Sequence, residues 1–492
     1  MSTVDTTITN LSVRQQMLCF AYLAYTGERI TTPNPEAIIL SNINAALQSI
    51  GSPVDLSTWS VVWGPIAFTV PGAKYQDNMV YVLQNGSSAD YAIAVRGTNF
   101  VSQVDWFLED FEVIDTMPWP VPGAVSKCQA GAAISESTSI DLQVLLGPNM
   151  TDPVHGQLLS FLAERAPQGK PINLCVTGHS LGGVLASTLA LYLLENQSAW
   201  DASGASTVSC VSFAAPTAGN ALFAANAGAV FQQAAAAGSF PGWDTSLASN
   251  LDNVACSLDA APLFSAGQNI ASGGLAGPLF ALYATPNNSV DVIDFGNLSA
   301  TAAEEWKYFQ PLVLQPLASM LSPQGYTQLP SETFAGSFIG SSLSFESLVS
   351  GLADYLEAFA AQAGYQHSSS YPVYLGLTQL MDPSIVVRGG SDAPAAPPQI
   401  SDISPTSAYR GNPAGVTVQI LGSGFASGLY SNHLVFSGGT TPIPYRITAA
   451  TPNQLTAVFY VDQASAGVQS LQVVTSSPFY TSNAVDFEVR FL

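Results

Sequence analysis

The chain has 492 residues, 47% of them apolar and only 9% charged, with 12 Lys and Arg against 34 Asp and Glu for a net charge of −22. That apolar content excludes a disordered chain, and so acidic a surface excludes nucleic-acid binding by counterion release, which needs clustered Lys and Arg. Repulsion from anionic lipid headgroups is expected for the same reason.

The stretch before Arg14 has no basic region followed by an apolar one, so no signal peptide is read. No window approaches 18 uninterrupted apolar residues, so no transmembrane helix is read either. The compartment stays open between an extracellular and a cytoplasmic one. Five cysteines without CxxC spacing give neither a disulfide framework nor a metal site, and Cys175, Cys210 and Cys256 sit in apolar runs that predict buried free thiols.

Along the first part, Val80–Leu83 and Tyr91–Val95 are predicted strands. Met117–Gly123 is a Pro-rich loop, whose Trp119 is either a packing residue or part of a substrate pocket. His155–Ala166 has the apolar spacing of an amphipathic helix. A strand at Ile172–Thr177, a helix at Leu181–Asn196, and strands at Thr207–Ala214 and Val254–Leu258 follow. Strands alternating with helices predict an α/β fold with a largely parallel sheet covered on both faces.

Between the strand and the helix lies Gly178-His179-Ser180-Leu181-Gly182-Gly183, the one GxSxG match in the chain. A serine on a sharp strand-to-helix turn projects its hydroxyl above the sheet as a nucleophile, with glycines where strand and helix pass closely. The helix N-terminus directs its dipole toward negative charge forming beside Ser180. Such sites order their partners as Ser, then an acid, then His. Of four histidines, His155 precedes the serine, His179 is within the turn and His433 lies near the C-terminus, which leaves His367 as base. Asp259, ending a strand-like run, is the favoured acid; Asp244, Asp252, Asp291 and Asp294 are rivals.

Five segments, Tyr91-Ala-Ile-Ala-Val-Arg-Gly-Thr98, Asp105-Trp-Phe-Leu-Glu-Asp110, Val176–Gly183, Ser212-Phe-Ala-Ala-Pro-Thr-Ala-Gly-Asn220 and Leu258-Asp-Ala-Ala-Pro262, resemble in order the class 3 (fungal-type) lipases. The resemblance spans about 91–262 and implies an α/β-hydrolase fold and a serine carboxylic-ester hydrolase that needs neither cofactor nor metal. It implies Ser180 as nucleophile, Asp259 as acid, His367 as base, and backbone N–H groups of Thr98 and Leu181 as the oxyanion hole. The segment 99–106, where this family carries its lid, reads either as a lid that contacts a lipid interface or as an ordinary core-packing helix. The sequence departs from the family at Gln129-Ala-Gly-Ala132, where His-x-Gly-Phe is usual, and in the long interval from Asp259 to His367. Rival readings are an esterase acting on feruloyl, polyester or thioester substrates, and a binding or adhesion protein with a vestigial hydrolase domain.

The insertion 263–365 is Gly-, Ser- and Ala-rich with helical stretches at Ala303–Leu321 and Phe345–Ala363, and reads as a cap or as a brace. Residues 389–398 form a Pro/Gly linker that divides an enlarged domain, 1–388, from residues 399–492. Up to Asp392 there are 9 basic and 30 acidic residues, a net of −21; beyond it there are 3 and 4, a net of −1. The C-terminal part has short predicted strands at Thr417–Leu421, Leu434–Phe436, Gln454–Tyr460, Gln469–Val474 and Ala484–Phe491, the pattern of a β-sandwich. Its segments Ile403-Ser-Pro-Thr-Ser, Val416–Phe425 and Ser482-Asn-Ala-Val-Asp-Phe resemble the immunoglobulin-like IPT/TIG domain. Its ligand is not legible.

Overall fold

A computed structural model describes residues 8–26, 35–50, 52–68, 78–97, 116–121, 125, 130–167, 169–259, 261–262, 326–336, 365–377, 380, 397–410, 415–425, 432–437, 443, 445–461, 464–475 and 481–491. The expected lid at 99–106, Thr98, the rival acids Asp291 and Asp294, both expected helices of the insertion and the linker residues 389–396 lie outside the described residues.

Two helices, α1 (Leu11–Leu23) and α2 (Glu36–Ser49), precede three strands, β1 (Trp59–Phe68), β2 (Asn78–Asn85) and β3 (Asp90–Val95). A small pair, β4 (Thr116–Pro118) with β5 (Ala133–Ser135), leads into α3 (Glu136–Leu146), capped by the Ser135 hydroxyl, which accepts from the Thr138 N–H at 3.2 Å. The two-residue strands β6 (Thr151–Asp152) and β7 (Gly156–Gln157) precede α4 (Leu158–Arg165). Then follow β8 (Asn173–His179), α5 (Leu181–Glu195), β9 (Thr207–Phe213), α6 (Ala221–Ala237), β10 (Leu251–Cys256), β11 (Ser331–Phe334) and, after a π-helical turn at Tyr365–Ser369, α7 (Ser370–Tyr374).

These strands form one seven-stranded sheet in the order β1-β2-β3-β8-β9-β10-β11. The first two pairings are antiparallel and the four from β3 to β11 are parallel. Side chains alternate between two cores, as the period of two requires. Val80, Val82, Ile93, Val95, Leu174 and Val176 face the core shared with α5, while Tyr81, Ala92, Ala94, Cys175 and Phe213 face the one shared with α1 and α2. Both faces are thus covered, and the carboxyl ends of the parallel strands are left as the place for a site.

Three features differ from the sequence expectations. The helix expected from His155 starts at Leu158, because Asp152 Oδ1 accepts from the N–H groups of Val154 (2.8 Å) and His155 (2.9 Å) and folds that stretch into a turn. The strand expected to reach Leu258 ends at Cys256, where a turn closes with the Asp259 N–H donating to the Cys256 carbonyl at 3.0 Å. Part of the 263–365 insertion is neither cap nor brace: Ser331–Phe334 is the edge strand of the main sheet, paired in register with Asn253–Cys256.

The C-terminal residues form two four-stranded sheets. One runs in the order β12 (Gln399–Ser404), β14 (Val416–Ser423), β17 (Gln454–Phe459), β16 (Tyr445–Thr451). The other runs β13 (Ser407–Tyr409), β19 (Val485–Arg490), β18 (Gly467–Thr475), β15 (Asn432–Ser437). Val418, Ile420 and Phe459 of the first share a core with Phe436, Leu471 and Phe487 of the second.

Candidate active site

Ser180 sits between β8 and α5 with φ 61° and ψ −133°, a strained conformation for a residue with a side chain. The tightness of the crossing explains the flanking residues. A Cβ on Gly178 would lie 2.1 Å from the Gly182 carbonyl oxygen, and one on Gly182 would lie 2.4 Å from that of Val95. Only glycine at both places lets strand, turn and helix pass at this distance. The Ser180 N–H donates to the Phe213 carbonyl at 3.0 Å, which ties the turn to the end of β9. Its hydroxyl is buried and makes no hydrogen bond with the described residues. Leu181 begins α5, so its N–H belongs to the first, unsatisfied turn of a 15-residue helix.

Although 108 residues apart, Asp259 and His367 are in contact. His367 Nδ1 lies 3.0 Å from Asp259 Oδ1 and 3.1 Å from Oδ2, with both side chains buried. Asp259 also accepts from the Ala261 N–H at 3.0 Å and from the Tyr371 hydroxyl at 2.7 Å. A carboxylate satisfied by these three donors is fixed in place and orients the imidazole. Tyr371 in turn accepts from the Cys256 N–H at 3.0 Å. Burial first, and then the Asp259 charge, push its phenol well above the ordinary range, so it stays a donor.

The rival acids Asp252 and Asp244 are engaged elsewhere. Asp252 is paired with Arg14 at 2.7 Å on the α1 face of the sheet, and Asp244 accepts from the N–H groups of Ser246 and Asn10. Trp119 is a packing residue at the far end of α5. Its indole donates to Glu195 Oε2 at 2.9 Å and meets Phe223 edge-on, about 20 Å along the helix from Ser180 at 1.5 Å per residue. Cys175, Cys210 and Cys256 are buried free thiols, as is Cys19.

Two residues of the site escape sequence reasoning. Tyr371 is four positions after His367, a helical spacing that places both on one face of a turn and was the available signal. His179 has no such signal: its contact with the His367 backbone joins positions 188 residues apart.

Residues 92–236 match the model of the lipase (class 3) family. Among solved structures, M37 lipase is 28% identical, with 74% of this chain and 93% of that chain covered and a TM-score of 0.54. The chain is a carboxylic-ester hydrolase of the lipase type. Two further lipases are also similar to it: Yarrowia lipolytica LIP2 (17% identity, 51% of this chain and 73% of that one, TM-score 0.34) and lipase II from Rhizopus niveus (15%, 51% and 73%, TM-score 0.35). No curated protein matches by sequence. The lipase family implies an ester or lipid substrate, and no helix among the described residues is long and apolar enough to cross a membrane.

Proposed function

We propose that this lipase cleaves acyl esters through an acyl-enzyme on Ser180, with His367 as general base and Asp259 as the acid that orients it. The observation that carries this reading is the buried His367–Asp259 contact at 3.0 Å together with a serine strained at the N-terminus of α5. Ser180 Oγ attacks the ester carbonyl carbon while His367 Nε2 takes its proton. The tetrahedral oxyanion is held by the N–H groups of Leu181 and Thr98, each such donor contributing roughly 3–4 kcal/mol. Collapse expels the alcohol, protonated by His367, and water activated by the same histidine then releases the fatty acid and restores Ser180. No step calls for a metal or a cofactor. Interfacial contact is assigned to a lid over 99–106.

The proposed domain division places hydrolysis in 1–388 and an accessory, IPT/TIG-like immunoglobulin-like domain in 399–492. Two facing antiparallel-rich sheets with one core support that reading of the second part. A chain ending near Gly390 is expected to keep hydrolytic activity.

Hydrolysis of a p-nitrophenyl ester series beside an emulsified triacylglycerol and an aryl ester tests the substrate class. Fatty-acid release that rises when the substrate forms an interface is expected. Preference for short chains or the aryl ester, with no gain on emulsification, would replace the lipid reading with a non-lipid esterase.

A further inference from the structure

Asp259 and Tyr371 set the orientation of the His367 ring, but a base must also be held at the right distance from its nucleophile. The backbone of His367 lies in a π-helical turn, Tyr365–Ser369, far in sequence from Ser180. One side chain joins the two. His179 Nε2 lies 2.5 Å from the His367 carbonyl oxygen. A carbonyl can only accept, so Nε2 carries the proton and donates it. The two imidazoles lie side by side, 4.8 Å between centroids at 53°.

His179 is itself held from α1 and the turn that follows. The Tyr25 hydroxyl lies 3.2 Å from His179 Nδ1 and 3.0 Å from the His179 carbonyl oxygen, and Tyr22 meets the ring edge-on at 5.1 Å. The same helix reaches the histidine segment directly: the Tyr22 hydroxyl donates to the Ser368 carbonyl, and Gln15 Nε2 donates to the Leu375 carbonyl at 2.8 Å.

We propose that His179 is a positioning residue for the general base: its Nε2–H···O=C bond locks the His367 backbone to the residue next to the nucleophile, and α1 and the turn after it clamp both through Tyr22 and Tyr25. His179 and Ser180 share one peptide unit, so this hydrogen bond ties the base to the residue that precedes the attacking oxygen. This rests on the triad reading above. It also gives a positioning role to a helix outside the matched segment 92–236.

The test compares His179→Leu, His179→Gln, Tyr22→Phe and His367→Ala for kcat, KM and the rate at which a fluorophosphonate labels Ser180, each below its own thermal midpoint. A misplaced reacting group costs up to about 100-fold, so His179→Leu is expected to lower kcat and the labelling rate about 10- to 100-fold with KM within about twofold. His179→Gln, whose side-chain amide carries a donor near the Nε2 position, is expected to recover activity to within about threefold of the parent. Tyr22→Phe removes one hydroxyl and should lower kcat about threefold, which keeps the test open if His179→Leu does not fold. Parental kcat and labelling in both His179→Leu and Tyr22→Phe, or equal losses in His179→Leu and His179→Gln, would overturn the proposal while leaving the triad standing. Activity retained in His367→Ala would instead overturn the triad reading and this one with it.

Discussion

The Tyr371 hydroxyl donates to Asp259 Oδ2 at 2.7 Å, so the acid facing His367 is held by a phenol from the helix that follows the histidine. Tyr371→Phe keeps the ring, which packs edge-on against Phe334 and His179, and removes only this bond and the acceptor for the Cys256 N–H. A hydrogen bond to a charged group contributes roughly 1.5–3 kcal/mol, so kcat is expected to fall about tenfold or more with little change in KM. Steady-state kinetics on a soluble ester check this; parental kcat would show that Asp259 needs no third donor.

Arg14 ties α1 to the far edge of the sheet. Its Nε and Nη2 donate to Asp252 at 2.8 and 2.7 Å, and its Nη1 and Nη2 donate to Glu332 of β11 at 2.9 and 2.7 Å. Burial works against its charge, but the bonds to Asp252 and Glu332 outweigh it and hold the guanidinium above its ordinary value. Arg14→Met would leave Asp252 buried with Asn10 as its remaining side-chain donor. Breaking a buried pair on one side costs about 3–5 kcal/mol, which urea unfolding should detect. Glu332, which is partly exposed, should cost less when changed to Gln.

Asp201 reports on acid stability. Burial tends to raise its pKa, but hydrogen bonds from Ser203 and Ser206 win and bring it down to about 2. A carboxylate whose folded pKa lies below its unfolded value stabilises the fold above the unfolded value, and that contribution is lost as pH falls through the folded one. Asp201→Asn should therefore cost about 2 kcal/mol at pH 7 and roughly half as much at pH 3. A gap independent of pH, measured by urea unfolding at both, would contradict the assignment.

Reactivity of the four described thiols should be low. Cys19, Cys175, Cys210 and Cys256 are buried, and burial pushes the Cys256 thiol up to about 11 and the other three further still. At pH 8 a thiol-specific reagent is expected to modify none of these four in the native protein and all of them after denaturation. Peptide mapping that finds any of the four labelled in the native state would contradict their burial.

Much of the α/β part was legible because its signals are local. An apolar strand, a glycine-flanked serine and a helix adjoin within about 25 residues, and the structure places β8, Ser180 and α5 there. His367 was legible through scarcity, since four histidines left one after the serine and ahead of the C-terminal sheets, and Asp259 through its place at the end of a strand-like run. What was not legible is held by distant partners. Ten of the 13 residues of α1 are buried, so no exposed polar face marks it as an amphipathic helix, and its Arg14 and Gln15 are satisfied by residues 238 and 360 positions away. Strand β11, Ser-Glu-Thr-Phe, is short, polar and at the sheet edge, and so lacks the apolar run by which β8 and β9 are recognised.

The most direct test of the account is covalent labelling of Ser180. The full chain, reacted with a fluorophosphonate and mapped by mass spectrometry, should carry one adduct on the peptide containing Ser180; Ser180→Ala should lose both the adduct and the hydrolysis of acyl esters. An adduct on another residue, or ester hydrolysis undiminished in Ser180→Ala, would contradict it.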